Sequence, residues 1–374
     1  MAKLKILDRF IEYKLIIQED NTEVKTNAVP NLLTTLTPGM SKHAQTEKEL
    51  VKLSPSTTIK CVKESPSKIN MYWLKKNPRS ISSYPLDTLN PSIPSTTINP
   101  PCTQLETSYP PSSFDISQNY LITVYLNNIE IKYLNDSKAS SQQIKANCDI
   151  STVVLDGNFI YYGTVLGSVF CFDFLTDQCV SISADGSGPI RKISACGDKL
   201  AISRGNTMTV YTDDRHVIHY NAAILDFAFS NDGNSLAVCV AYDINLHLIS
   251  FKGILLSTKL QKDTLSLKPF KIGDQVYGGF PSAITWNDGK IALSCTFQKN
   301  ETAEPEYQVL VLNVSMDLGN FVATLTSVIN PAESFGVKEF KECVGAPSCA
   351  SISNYIAVSW AECIGLYMIS VDNK

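Results

Sequence analysis

Two histidines close to two aspartates are the residues of this sequence whose types and spacing suit metal binding. His216 and His219 lie in the segment DDRHVIHY, directly after Asp213 and Asp214. Imidazole and carboxylate groups are ordinary zinc ligands, and a metal site needs three or four of them in one place. The segment falls between two strand-rich stretches, so the favoured interpretation is a surface loop whose polar side chains face water.

The other catalytic patterns are incomplete. Gly186–Gly188 reads GSG but lacks the Lys-Ser/Thr pair that a phosphate-binding loop requires. No GxSxG nucleophile elbow occurs, and the chain has four histidines in all. His247 alternates with leucines and is expected to be a half-buried packing residue. We therefore predict no enzyme activity, no catalytic residue, no cofactor and no metal site.

Two long acidic connections are stronger candidates for a function, and that function is binding. The stretch QKNETAEPEYQ is rich in glutamate and holds a single lysine, and TSVINPAESFGVKEFKECVG sets glutamates beside two phenylalanines. Acids next to exposed aromatic residues suit a protein interface. Both stretches could instead be solvated loops, or tuck their apolar side chains inward. We predict partner contacts at four of these glutamates: Glu301, Glu304, Glu306 and Glu333.

Charge is distributed unevenly along the chain. Residues 1–100 carry 14 Lys and Arg against 9 Asp and Glu, whereas the remainder carries 18 against 27. The net charge of −4 argues weakly against direct nucleic-acid binding. An acidic body with a mildly basic leader favours a basic protein partner for the body.

Cysteine usage and hydropathy bear on the compartment. The 11 cysteines are odd in number and scattered without CxxC pairs. This pattern argues against a disulfide framework and favours a reducing compartment. No apolar run reaches the roughly 18 residues that a membrane helix needs, so no membrane span is predicted.

One structural unit recurs six times after residue 113. In FAFSNDGNSLAV, residues 227–238, apolar residues alternate, a polar turn follows, and apolar residues resume. The same order of strand, polar turn, strand, turn and strand occurs in six segments, namely residues 114–134, 152–174, 190–212, 224–251, 282–315 and 347–370. Their spacing of roughly 35 to 60 residues suits the four-stranded blades of a β-propeller.

We therefore predict an all-β fold, a β-propeller of six to seven blades. One blade cannot bury both of its faces alone, so blades stack radially and leave only short edges. None of the six segments ends in a Trp-Asp dipeptide, which makes this a divergent, WD-repeat-like propeller. A β-sandwich with frequent turns is the alternative fold.

The first 112 residues have a different composition. Of 18 prolines 12 lie before residue 112, and only Gly39 of 18 glycines precedes Gly157. Residues 90–113 read as an extended linker or surface strap. Residues 3–18 fit either an amphipathic helix or a strand, and Ile69–Leu74 fits a strand. We predict an irregular, Pro-rich extension over 1–112, which could complete one blade, and the propeller over 113–374.

The last two repeats resemble a known family. The residues FPSAITWNDGKIALSCTFQKNETAEPEYQVLVLNVS, then INPAESFG, then YIAVSWAECIGLYMIS resemble the amino-terminal propeller of the cytoplasmic-face nucleoporin that docks the DEAD-box mRNA-export helicase. The resemblance covers roughly residues 190–370 and rests on order, spacing and hydrophobic pattern. It departs from the family in the long extension that precedes the propeller and in the end of the chain at Lys374, where the family continues into a further blade and Phe-Gly repeats.

The resemblance implies a non-enzymatic scaffold at the cytoplasmic side of the nuclear pore, with nucleoporins and a DEAD-box RNA helicase as partners. An acidic, partly apolar face would hold the basic face of the helicase. Two other classes remain open. The residues GTVLGSVFCFDF resemble propellers that act as exchange factors for a small GTPase or as scaffolds in vesicle trafficking, which would place the chain in the cytoplasm. The residues GPIRKIS resemble mitotic-checkpoint and mRNA-export adaptor propellers.

Overall fold

Every regular element of the described chain is a β-strand. The computed structural model describes residues 2–6, 13–16, 59–65, 68–76, 79–85, 97–98, 103–105, 107–134, 141–251, 261–268, 270–272, 275–297, 306–317, 320–330, 346–352, 355–360 and 363–368. Within these ranges no helix is long and apolar enough to cross a membrane.

The strands are numbered here in chain order. The first sixteen are β1 (Ala2–Ile6), β2 (Tyr13–Ile16), β3 (Ile59–Ser65), β4 (Lys68–Lys76), β5 (Arg79–Pro85), β6 (Thr97–Ile98), β7 (Thr103–Leu105), β8 (Ser113–Ile116), β9 (Tyr120–Tyr125), β10 (Asn128–Tyr133), β11 (Gln142–Lys145), β12 (Ile150–Asp156), β13 (Phe159–Thr164), β14 (Val169–Asp173), β15 (Gln178–Ile182) and β16 (Ile190–Cys196). The remainder are β17 (Lys199–Arg204), β18 (Thr207–Tyr211), β19 (Arg215–His219), β20 (Ile224–Phe229), β21 (Ser235–Val240), β22 (Asn245–Ser250), β23 (Gln261–Ser266), β24 (Phe270–Ile272), β25 (Gln275–Tyr277), β26 (Phe280–Asn287), β27 (Lys290–Phe297), β28 (Glu306–Asp317), β29 (Asn320–Ile329), β30 (Ser348–Ile352), β31 (Tyr355–Trp360) and β32 (Cys363–Met368).

These strands form two compact units. The central unit comprises Thr57–Pro91 and Pro100–Ile224, and the terminal unit comprises Met1–Ser56, Ser92–Asn99 and Leu225–Lys374. The central unit contains four antiparallel sheets of four strands each, in the orders β3-β4-β5-β7, β8-β9-β10-β11, β12-β13-β14-β15 and β16-β17-β18-β19. Strands that follow each other in the chain are neighbours in these sheets, except that β6 intervenes between β5 and β7 and pairs in the other unit; this order is the meander of a propeller blade.

The terminal unit contains three larger sheets and a two-stranded ribbon, β24-β25. The sheet β20-β21-β22-β23 has four strands, whereas the other two have five. β2 pairs with the outer edge of β29, and β1 pairs in parallel with β32, followed by β6. Strands from the first hundred residues therefore complete sheets whose other strands lie at residue 280 and beyond.

The strands with continuous apolar sequences are the most deeply buried ones. All six residues of β21, SLAVCV, are buried, and β9 has four buried residues between two half-buried tyrosines. A strand that is covered on both faces reads as a continuous apolar run rather than an alternating one. Two-residue turns close the hairpins, as at Asp288 and Gly289, where φ is +48° and +72°. Positive φ at both central positions is typical of the type I′ hairpin turn.

Buried aspartates tie neighbouring inner strands together in both units. In the central unit the Asp115 carboxylate accepts hydrogen bonds from its neighbour Ile116 N at 3.0 Å and from Leu155 N, on β12, at 2.9 Å. In the terminal unit Asp226 does the same for Phe227 N at 3.0 Å and for Ile284 N, on β26, at 2.8 Å. An ionised carboxylate that receives two backbone N–H groups is compensated for its burial.

The predicted repeats coincide with these sheets. Each of the six segments supplies the first three strands of one sheet, and Ile69–Leu74 lies in β4, as predicted. Residues 3–18 contain two strands, β1 and β2, so the strand alternative was the right one for them. The described residues form seven sheets of four or five strands, at the upper end of the predicted blade number.

The predicted repeats are incomplete, and one expectation needs correction. Each repeat covers three of the four strands expected of a blade and leaves out the outermost strands β11, β15, β19 and β23, which lack an apolar pattern. The segment around His216 and His219 is not a surface loop, since it forms β19, the outer strand of its sheet. The proposed boundary between an extension over 1–112 and a propeller over 113–374 stays a prediction.

Candidate protein-interaction surface

The glutamates nominated from the sequence fall at the margin of the described chain. Glu301, Glu304 and Glu333 lie outside the described residues. Glu306 is the first residue of β28, with an exposed side chain, and faces Phe297 at the end of β27. These two strand ends flank the acidic insertion.

A different set of carboxylates gathers at one end of the central unit. In a four-stranded meander the first and third turns lie at the same end of the sheet. In the sheets β12–β15 and β16–β19 those turns hold six aspartates, Asp156, Asp173, Asp177, Asp198, Asp213 and Asp214. We call this set the acidic end. The carboxylate of Asp156 accepts a hydrogen bond from Gly197 N, so the turns of the two sheets are adjacent.

Neighbouring basic side chains and hydrogen bonds offset only part of the negative charge of the acidic end. Lys199 lies 3.8 Å from Asp198, and Arg215 forms an ion pair with Asp185. Thr176 Oγ1 and Leu175 N donate hydrogen bonds to Asp173 at 2.8 Å and 3.0 Å, which lowers the pKa of that carboxyl. Burial raises the pKa of Asp156, and the nearby Asp115 carboxylate raises it further, against the hydrogen bond from Gly197.

Apolar side chains stand among these acids. Phe159, which begins β13, is 43% exposed, and Leu175, in the turn after β14, is 65% exposed. Phe159 is the cross-strand partner of Asp173, and its ring centroid lies 6.4 Å from that of Tyr161. Exposed apolar side chains next to carboxylates are a combination that also occurs at protein interfaces.

The opposite end of the same sheets is organised by one arginine. Arg204, at the end of β17, donates to the backbone oxygens of Ala184 at 3.0 Å, Gly186 at 2.7 Å and Gly188 at 3.1 Å, and also to Gly167 O. A guanidinium with several fixed donors can satisfy several carbonyls at once. Arg204 therefore fixes the connections at this end, including the turn whose tip presents an exposed Leu166.

A buried glutamate near this end has its hydrogen bonds satisfied. Glu130 accepts from Ser108 Oγ at 2.5 Å, Ser108 N at 3.2 Å and Thr123 Oγ1 at 3.4 Å. The cavity beside it, lined by Tyr109 and Tyr125, measures about 10 Å³. That is the room of a single water molecule.

Two of the described histidines, His219 and His247, make structural contacts. His219 Nδ1 lies 3.2 Å from Thr207 Oγ1 on the neighbouring strand. His247 is half-buried, as predicted, and its Nε2 lies 2.8 Å from Asp243 Oδ2. Burial alone would raise the pKa of Asp243, but hydrogen bonds from His247 and Asn245 outweigh it and lower the pKa. In the part of the chain that the structure describes, no three His, Cys, Asp or Glu residues form a group that could hold a metal ion.

The fold defined by these sheets is a β-propeller, and comparison with solved structures agrees. The chain is similar to the WD40 β-propeller domain of Doa1 with a TM-score of 0.51 and 12% identity, over 82% of this chain and 90% of that one. It is similar to the RRP9 WD40 repeats with a TM-score of 0.53 and 13% identity, over 82% and 88%. For U3-55K the TM-score is 0.53 and the identity 13%, over 82% and 89%.

No protein-family model matches the chain, and no curated protein matches it. At 12–13% identity the solved structures establish the fold alone.

Proposed function

We propose that this chain is a non-enzymatic protein-interaction scaffold whose acidic end docks a basic partner. The observation that carries the proposal is the gathering of six aspartates around exposed Phe159 and Leu175 on adjacent turns of two sheets. Apolar side chains in the centre of a patch supply affinity, while surrounding charges steer the partner and set its orientation.

The chemistry of the partner follows from the charge. Lys199 and Arg215 are already placed beside Asp198 and Asp185, so an approaching Lys or Arg finds uncompensated carboxylates at Asp177, Asp213 and Asp214. A partner face that carries lysines or arginines around an apolar contact is complementary to this arrangement. Binding of this kind weakens as ionic strength rises.

At a finer level we propose a nuclear pore component that works in mRNA export and docks a DEAD-box RNA helicase at the cytoplasmic side of the pore. Support comes from the resemblance over residues 190–370 and from the need for a basic partner. Glu301, Glu304, Glu306 and Glu333 remain proposed contacts to that partner. They are separate in sequence from the acidic end, so each set can be tested alone.

The test is a pull-down from cell extract with two matched single charge reversals. Asp198→Lys changes a side chain that is 81% exposed at the acidic end, and Asp149→Lys makes the same change at an exposed position at the other end. We expect Asp198→Lys to weaken partner recovery by about tenfold, corresponding to about 1.4 kcal/mol, and Asp149→Lys to leave it unchanged. Equal recovery with both variants would contradict the placement of the site.

The identity of the recovered proteins tests the finer proposal. Nucleoporins together with a DEAD-box helicase would support it, and a triple Glu301/Glu304/Glu306→Lys variant would then show whether the insertion also contacts the helicase. A small GTPase or vesicle-coat subunits would favour the trafficking alternative. Mitotic-checkpoint proteins would favour the adaptor alternative.

A further inference from the structure

The outermost strand of the sheet β12–β15 has an open edge. β15, with the sequence QCVSI, pairs with β14 on one side, and no described strand pairs with its other side. Four of its five residues are exposed, and the Val180 side chain is exposed to 60%. An edge strand presents N–H and C=O groups that can pair with another strand, and proteins usually protect such edges with charges, proline or a covering strand.

β15 lacks the charged residues that protect the outer strands of three comparable four-stranded sheets. β11 ends in Lys145, β19 begins with Arg215, and β23 contains Lys262 and Asp263. In the terminal unit β2 covers the edge of β29 and β1 covers the edge of β32. β15 contains neither a charged residue nor a proline.

The hydrogen-bonding phase shows which groups of β15 point outward. Phe174 N donates to Asn158 O at 3.3 Å, so even-numbered residues of β14 bond to β13 and odd-numbered ones bond to β15. Cys171 and Val180 then form a hydrogen-bonded pair in the register between β14 and β15. It follows that the N–H and C=O groups of Cys179 and Ser181 point away from the sheet.

We propose that two copies of this chain pair antiparallel through their β15 edges and form one continuous eight-stranded sheet. In the register centred on Val180, Cys179 of each copy lies opposite Ser181 of the other. These two pairs exchange four backbone hydrogen bonds. The two Val180 residues meet in the non-hydrogen-bonded site between them, where opposite Cα atoms lie about 4.5 Å apart and side chains are closest.

The residues that flank β15 favour the register centred on Val180 over registers centred on Cys179 or Ser181. A register centred on Cys179 would draw on Asp177, whose φ of +58° is not extended. A register centred on Ser181 would draw on Ser183, whose carbonyl oxygen accepts a hydrogen bond from the Tyr211 hydroxyl. The register centred on Val180 needs neither residue and places no like charges opposite each other. A second copy of the chain is thus a partner whose outward N–H and C=O groups match those of this edge.

A disulfide trap tests the register directly. Val180→Cys, made together with Cys179→Ser, places two thiols in the central pair at a distance that a disulfide can span. We expect mild oxidation to convert this variant to a covalent dimer on a non-reducing gel. Val217→Cys in the same background is the control, because Val217 is exposed on β19, another outer strand. Failure of Val180→Cys to cross-link, or equal cross-linking of both variants, would overturn the proposal.

Sedimentation gives an independent measurement. Val180→Lys would set two ammonium groups against each other at the centre of the interface, and Ser181→Pro would remove one outward N–H from each copy. We expect each change to raise the dimer dissociation constant at least about tenfold, with an unchanged circular dichroism spectrum. Wild-type protein that stays monomeric up to about 0.1 mM, or dimers that both variants leave intact, would contradict the pairing. Both tests use purified protein, so their outcome is independent of the acidic-end partner.

Discussion

Asp226 shows how one buried carboxylate joins two sheets. Asp226 is 8% exposed. Its carboxylate accepts the hydrogen bond that Ile284 N, on β26, donates. Asp226→Ala would leave that N–H without its acceptor. We expect a loss of about 1–3 kcal/mol in the free energy of unfolding, measured by urea denaturation.

Asp115→Ala is the matched variant in the central unit, because Asp115 makes the same contact to Leu155 N. Asp198→Ala is the control at an exposed turn and should change the free energy by less than about 0.5 kcal/mol. Equal effects of Asp226→Ala and Asp198→Ala would show that the inter-strand hydrogen bond adds no stability.

The pair of Asp243 and His247 predicts a pH dependence of stability. The pKa of Asp243 is lower in the folded chain than its ordinary value of 3.8. A lowered folded pKa means that the ionised form stabilises the fold above the unfolded pKa and that this contribution is lost as pH falls through the folded pKa. The stability difference between wild type and Asp243→Asn should therefore shrink as the pH falls below about 4. A difference that grows on acidification would contradict the assignment.

At the scale of elements, Gly163 lets two sheets approach each other. A Cβ atom at this position of β13 would lie 2.4 Å from Ile190 Cγ2, on β16 of the next sheet. The Ser151 hydroxyl bridges the same contact, since its Oγ lies 2.6 Å from Ile190 O and 3.1 Å from Gly163 O and its single proton is shared between them. Gly163→Ala should destabilise the chain by about 1–3 kcal/mol in thermal or urea unfolding, because a packed β-branched neighbour cannot move aside.

A second change, at Ile190, tests the cause of that loss. If the collision with Ile190 is responsible, Gly163→Ala and Ile190→Ala should be non-additive, since alanine removes both crowding γ carbons of Ile190. Strict additivity of the two changes would mean that the glycine acts on the backbone of β13 and not through this contact.

The buried strands of this molecule can be predicted from the sequence, whereas the exposed outer strands cannot. The first three strands of each repeat, such as β20, β21 and β22, carry apolar runs interrupted by Asp-Gly or Asn-Asp turns, and these were all found. The outer strands were not, because β15 and β19 expose most of their side chains and therefore carry no periodic apolar signal.

The candidate site could be predicted only in part. The chemical type of the surface, acidic with apolar contacts, was expected from the charge distribution and was assigned to the insertion at Glu301. The turn pairs Asp156-Gly157 and Gly197-Asp198 were recognised as turns, but a single sequence does not tell that antiparallel topology brings them to one end. That gathering depends on how two successive sheets pack against each other, which places Gly197 beside Asp156.

At the scale of the whole molecule, removing residues 1–16 should affect one unit and spare the other. The deletion removes β1 and β2, which pair with β32 and β29 of the terminal unit. We expect hydrogen exchange to accelerate at least about tenfold in β29 and β32 and to stay unchanged in β13 and β17 of the central unit. Acceleration of equal size in both units would show that the chain unfolds as one cooperative block.

The two N-terminal strands also set an order of events during synthesis. The ribosome makes β1 and β2 before every other described strand, and their partners β32 and β29 follow roughly 360 and 310 residues later. At about 5–20 residues per second this separation takes tens of seconds. The strands of the central unit, β3 to β19 without β6, are all made within that interval. The nascent chain therefore carries two β-segments whose partner strands do not yet exist, and we expect chaperones that hold extended polypeptide to bind it.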